Sequence, residues 1–477
     1  MRQQPEPNFA HDERGTILVF WAVVLGVVLG VVSLSFDLGR ASITRSELQS
    51  FADSVALAAA GELDGSDDSI TRATAAAALI FDTQSFGNTD RALQGDVSYS
   101  LTFYRSLPVS DQTAMSDETT DPEDAAYLLV SVTPTVVEST FGAAFASLTD
   151  RPNRDFTLGA TAVAGLSILA CDVQPMMFCL PSADYRAEDH IGDMIRLRAG
   201  GSGAAWAPGD FGFLDPRGLE VDLSGPCGSI TGGGAPLLRC LIGAVDHITQ
   251  CFDQRGVDIE PGQKNGLENS IFNVRFDIYN QSMGNPRYRN NPSYAPAPNV
   301  IKGLVPNGSG TCVANNPTVS PDTVALPRDT CFNTGSCTRF GDGDWSRSAY
   351  VSRNYGAIDP HSAAVTRYQY YLAEIARAGS GNILTGRAET GLKTCSGAPA
   401  ASPDRRIITV AGIDCEENAI RGAANNVPVR EFFKIFLTEP VDADNNIWGE
   451  VVGSASEIGT GAVGTGGIVR DVVQLYR

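Results

Sequence analysis

The chain has 477 residues, 35 basic and 55 acidic side chains and a formal net charge of −20, which is length for two or three domains and excludes a general nucleic-acid binder. Hydrophobic residues at 43%, charged residues at 19% and a mean hydropathy of −0.06 exclude both a polytopic membrane protein and a disordered chain.

The first informative segment is Thr16–Phe36, TILVFWAVVLGVVLGVVSLSF, which carries no charge over 21 residues. At 1.5 Å per residue such a helix spans about 30 Å of hydrocarbon. A cleaved signal peptide is the competing reading, but the apolar region is long for one and Ser33-Leu34-Ser35 substitutes poorly for an Ala-x-Ala site. A retained membrane helix is therefore expected, with a short tail at 1–15. Arg2 and Arg14 before the span nearly balance Arg40 and Arg45 after it, so basic residues do not set the orientation. Gly26 and Gly30 form a GxxxG pair, the candidate membrane helix contact.

Past the span, SITRSELQSFADSVALAAAGEL lacks Pro and places Leu48, Phe51/Ala52, Val55 and Ala58/Ala59 at helical spacing, so the helix continues to residue 62. Asp64–Ser69 reads as its stop and the start of a second helix, ITRATAAAALIF. The alanines read first as helix propensity and only secondarily as a close-packing surface. Residues 97–105, 126–137 and 156–165 carry β-branched and aromatic content and predict three strands. These elements form a small α+β unit at 63–165.

All ten cysteines follow: Cys171, Cys179, Cys227, Cys240, Cys251, Cys312, Cys331, Cys337, Cys395 and Cys415. An even number confined to one side of a membrane helix suits disulfides in an oxidising compartment. Connectivity is not readable, and scattered buried thiols in a reduced cytosolic domain are the competing reading, but the pattern places the bulk of the chain, 166–477, outside the cytoplasmic membrane as a loop-rich, disulfide-containing α+β domain. Within it, 189–198, 237–252 and 363–378 read as helices, and 405–415, 429–441 and 447–455 as strands.

Chemistry-bearing patterns are sparse. Of four histidines, His247 would share a helix face with Cys240 and Cys251, but nothing completes a zinc site. Asp189-His190 and Asp359-Pro360-His361 lack a nucleophile motif. Asp442, Asp444 and Asn446 begin like a calcium loop, yet Ile447 stands where Gly is required and Gly453 where the terminal Glu belongs. Asp342-Gly343-Asp344 is shorter still. The Gly-rich stretches at 200–203 and 459–467 lack the order of a phosphate loop. No catalytic, cofactor or metal residue is assigned.

One run is more specific. Glu13-Arg14-Gly15, the apolar span, Asp37-Leu38-Gly39-Arg40, Leu48-Gln49 and the Ala-rich stretch from Ala52-Asp53-Ser54 to Ala60 together resemble the N-terminal segment of TadG-like proteins of the tight-adherence (Flp) pilus assembly system. The resemblance covers residues 13–62. It implies a membrane-anchored accessory or assembly component, not an enzyme, with lipid and pilus or secretion-machine proteins as partners. Some relatives carry a von Willebrand A-like Asp-x-Ser-x-Ser metal motif, but here Pro226 follows Asp222 and Ser224 at its last position. Prepilin-like processing at Gly15 is not expected either, since Phe20 stands where a processed pilin has Glu. The runner-up function is an extracytoplasmic adhesion or ligand-binding module using the Gly- and Asn-rich loops, and the third is an unrecognised hydrolase. Oligomeric state is not readable.

Overall fold

The computed structural model describes residues 16–85, 91–108, 110, 113–149, 155–171, 173–215, 227, 230, 234–245, 251–262, 268–298, 301–306, 313, 318–379, 383, 389, 395–397, 402–455 and 469–476. The chain divides into two units, one running to Ser167 and resuming at Asp471, the other spanning Ile168–Arg470.

The first unit is built on α1, a single 45-residue helix over Thr16–Ala60, about 68 Å long at 1.5 Å per residue. Its apolar stretch is long enough to cross a membrane and is unburied in the structure. Downstream the same helix becomes amphipathic. Leu48, Phe51, Ala52, Val55, Ala56 and Ala59 have no exposed surface and pack on the strand Tyr127–Val132 and on α2, Ser69–Ala78. Ala73 and Ala77 of α2 are equally buried, so the alanines do more than favour helix: their small size allows close approach of the two helices. Arg72 fixes the turn between them, reaching Glu62 and Asp64 at 2.7 Å and Asp68 at 2.9 Å.

The sheet under α1 pairs Tyr99–Tyr104 with Tyr127–Val132, and the latter with Thr161–Cys171, all antiparallel. Val469–Leu475 adds to that last strand. The expected run 126–137 is split by Pro134 into Tyr127–Val132 and Thr135–Val137, and the expected run 156–165 breaks near Gly159 into Phe156–Leu158 and Thr161 onward. Thr135–Val137 pairs with Phe156–Leu158 as a separate ladder.

In the second unit the sheet order is Ala424–Val427, Val257–Pro261, Asp210–Leu214, Met176–Cys179, Ile407–Ile413, Glu431–Leu437, Ile447–Ser454, Met194–Ala199. Met194–Ala199 also pairs back, in parallel, onto Asp210–Leu214, which closes six strands into a ring. The period-2 alternation of side chains then separates two cores. Met176, Phe178, Ile195, Leu197, Phe211, Phe213, Ile408, Val410, Phe433 and Ile435 share one, completed by Leu238 and Ile242 of the helix Ala235–Gly243. Their neighbours Met177, Cys179, Leu214, Ala411 and Phe432 share the other with Val257, Ile259 and Trp206. Gly200 and Gly212 make room for the Trp206 ring, which a Cβ on either would strike.

The unit corrects one sequence expectation outright and trims another. Residues 189–198 are not a helix: a 3-10 turn ends at His190, Gly192 takes φ +98°, and Met194–Ala199 is a ring strand. The spacing of Ile191, Met194, Ile195 and Leu197 imitates a helical face, but pairing with Ile447–Ser454 decides the conformation. At 237–252 the helix stops at Gly243, Cys251–Asp253 is strand, and 246–250 lie outside the described residues. The helix Arg367–Ala378 and the strands Ile407–Ile413, Glu431–Leu437 and Ile447–Ser454 fall where expected. Mixed helix and strand content makes the protein α+β.

Candidate functional site

Asp37 is the first charged residue after the apolar stretch of α1, and it is buried although it sits on a helix whose preceding turns are exposed. Its carboxylate accepts the Ser139 hydroxyl at 2.7 Å and the backbone N–H groups of Gly142 at 2.8 Å, Phe141 at 3.1 Å and Thr140 at 3.1 Å. Those amides are the unpaired donors at the start of α3, Thr140–Thr149. Asp37 therefore acts as an N-cap supplied by another helix, with the helix dipole favouring its charge. Burial raises the carboxyl's pKa, but the Ser139, Gly142, Phe141 and Thr140 donors outweigh it and hold the group below 3.8.

Arg40, one turn on, donates to the Thr140 hydroxyl at 2.6 Å and the Glu138 carbonyl at 3.4 Å. Gly142 is required sterically, because a Cβ there would collide with the Ser139 hydroxyl. Sequence reading picked out Asp37 and Arg40 as part of a motif and missed their receptor. Ser139-Thr140 before an apolar run is an N-terminal helix signal that would have revealed α3.

Elsewhere on α1, a Cβ at Gly26 or Gly30 would meet nothing within 4 Å. The cysteines fall in the second unit as bridges: Cys171–Cys251, Cys179–Cys415, Cys227–Cys240 and Cys331–Cys337. Cys395 is also disulfide-bonded, while Cys312 lies outside the described residues. Cys240 and Cys251 thus belong to different bridges and offer no thiolate pair. His11, His247, Asp222, Ser224, Pro226 and residues 459–467 also lie outside the described residues.

The remaining sequence candidates serve the fold. His190 Nδ1 pairs with Asp193 at 2.8 Å, not with Asp189, and its ring stacks on Tyr185 at 4.0 Å. Asp359 receives Arg347 at 2.8 Å and the Tyr370 hydroxyl at 3.0 Å beside His361. Asp442 accepts Asn446 N–H at 2.9 Å, Asp444 N–H at 3.0 Å and Trp448 Nε1–H at 2.8 Å, which makes the calcium-like run a self-satisfied turn. Asp342 and Gly343 donate their N–H groups to buried Asp329. Cys331 and Cys337 lie near Asp342, but the bridged sulfurs are not metal-ligating thiolates.

Buried charge is likewise structural. Arg367 pairs with Asp329 and, at 3.1 Å, with Glu450, all three side chains unexposed. Glu450 also accepts the backbone N–H of Arg367 and of Tyr368 at 2.8 Å. Arg406 lies over the rings of Phe276, Tyr371 and Phe436 at 4.5–4.7 Å, and its burial lowers its pKa to about 10. Burial pushes Glu374 up to about 7, against the Tyr350 and Tyr355 hydroxyls that donate to it at 2.7 Å.

The surface that stands apart from this internal bookkeeping is the exposed helix α1 with α3 docked on Asp37, which has the form of a membrane-proximal anchoring element. Residues 15–62 match the model of a family described as putative Flp pilus-assembly TadE/G-like. The matched segment coincides with α1 and includes Asp37 and Arg40. No curated protein and no solved structure matches the chain.

Proposed function

We propose that this protein is a membrane-anchored accessory or assembly component of a tight-adherence (Flp-type) pilus and secretion system, acting through protein–protein contacts and not through catalysis. The observation that carries the reading is the coincidence of the family match at 15–62 with a continuous helix whose first half is apolar and exposed and whose second half is packed into a folded unit. In this reading α1 crosses the bacterial cytoplasmic membrane once, the first unit stands on it, and the second unit presents surface on the extracytoplasmic side. The bridges of the second unit support that side, because structural disulfides persist in oxidising compartments.

Affinity purification of the full chain from native membranes, with crosslinking and mass spectrometry, tests the assignment. Enrichment of pilus or secretion components is expected. Their reproducible absence from preparations containing intact protein would remove the assembly role in favour of ligand binding or adhesion by the second unit.

A further inference from the structure

We propose that α3 is a second membrane contact: an interfacial helix that lies against the phospholipid surface beside the point where α1 leaves the bilayer. The inference rests on the anchor reading above and adds a lipid-binding element to it.

Depth is set by Asp37. It directly follows the uncharged stretch Thr16–Phe36, so a membrane-spanning α1 puts it at the hydrocarbon–water boundary. Four hydrogen bonds tie that carboxylate to Ser139 and to the amides of Thr140, Phe141 and Gly142. The first turn of α3 is thereby held at the height of the boundary. The adjoining ring contact confirms the level: Phe36, the last residue of the span, meets Phe141 edge to face with ring centroids 5.3 Å apart. Phe36 remains 52% exposed and Phe141 42% exposed, and Leu38 beside them is 49% exposed.

The chemistry of α3 agrees with that position. Its sequence, TFGAAFASLT, has no charged residue over ten positions, and its N-terminal amides are already satisfied by Asp37, so no unpaired backbone donor opposes contact with the bilayer interface at that end. In sequence the helix is flanked by Glu138, Asp150 and Asp155 but also by Arg151 and Arg154, and Arg40 reaches Thr140, so the near balance of charge gives no strong pull toward anionic headgroups. The occupant is therefore the apolar edge of the bilayer interface, and zwitterionic lipid should suffice. The exposed aromatic and aliphatic side chains of Phe36, Leu38 and Phe141 extend the lipid-facing surface of α1 sideways.

Full-length protein reconstituted in phosphatidylcholine–phosphatidylethanolamine nanodiscs, with a tracer phospholipid carrying a diazirine near the glycerol end of one acyl chain, provides the test. After illumination, peptide mapping should find lipid adducts both in 16–36 and in 140–149. Phe141→Ser should reduce the 140–149 adducts several-fold and leave those in 16–36 unchanged, and adding phosphatidylglycerol should not increase either. Adducts in 16–36 alone would overturn the interfacial helix while leaving the anchor intact, and would leave the Phe36–Phe141 surface to a protein partner. Adducts in neither segment would overturn the anchor reading itself.

Discussion

Asp37 and Gly142, 105 positions apart in sequence, meet through an N–H donated to the carboxylate at 2.8 Å. The contact turns a charge at the end of an apolar helix into the start of another helix. A substitution here separates positioning of α3 from folding of the rest of the unit.

Asp37→Ala is expected to release the start of α3 at a local cost of about 1–2 kcal/mol, the usual scale for loss of a helix cap. Hydrogen exchange should show faster exchange at Thr140–Gly142 with protection around the buried Phe51 face retained. Because the Asp37 pKa is held below 3.8, the contribution is present above that pH and is lost as pH falls through the depressed value. Unchanged protection of Thr140–Gly142 in the variant would refute the capping role.

Glu374 should make the second unit less stable as pH rises. Its pKa is raised from 4.5 to about 7, so its favourable protonated form is fully present below 4.5 and is lost as pH climbs through about 7. Glu374→Gln keeps an acceptor for Tyr350 and Tyr355 and is expected to flatten that slope, by up to ~3 kcal/mol across the window. Denaturant midpoints at pH 4.5 and pH 8 for both proteins decide the matter, and parallel pH profiles would sink the assignment.

Arg367→Met leaves Asp329 and Glu450 buried without their cation, and a loss of about 3–5 kcal/mol is expected from breaking such a pair. Thermal melting of the full chain measures it. A change below about 1 kcal/mol, the scale of an exposed ion pair, would show that the network is not desolvated in solution.

Nonreducing peptide mapping should recover Cys171–Cys251, Cys179–Cys415, Cys227–Cys240 and Cys331–Cys337. Removal of the Cys179–Cys415 bridge, which spans 236 positions, should cost more than removal of Cys331–Cys337, which spans 6. The chain-entropy argument gives about 5 against about 2 kcal/mol. Free thiols at these positions in protein from its native compartment would contradict the extracytoplasmic assignment.

What was readable from sequence was mainly what is local. The uncharged run at 16–36, the helical spacing of Leu48, Phe51 and Val55, and the β-branched stretch at 407–413 each declare their conformation within a dozen residues. Met194–Ala199 did not, because its spacing suits either period and the choice is made by Ile447–Ser454, some 250 positions away. Ring closure onto Asp210–Leu214 and the burial of Arg367 and Arg406 are equally long-range. For the candidate site, the charged half lay in a recognisable run, whereas the receiving half, Ser139 to Gly142, was hidden behind a stretch read only as strand.

The chain leaves the first unit along Thr161–Cys171 and returns to it along Val469–Leu475, two strands that pair with each other. In topological terms, some three hundred residues are a guest between neighbouring strands of a host that needs both. The host's two entry points are already side by side, so the chain enters and leaves the guest from adjacent strands. A cut in the guest beyond Cys415, outside the span of the Cys179–Cys415 bridge, leaves the host's last strand held only by noncovalent pairing, which makes retention of the 471–476 segment after such proteolysis a direct gauge of how firmly that sheet is closed.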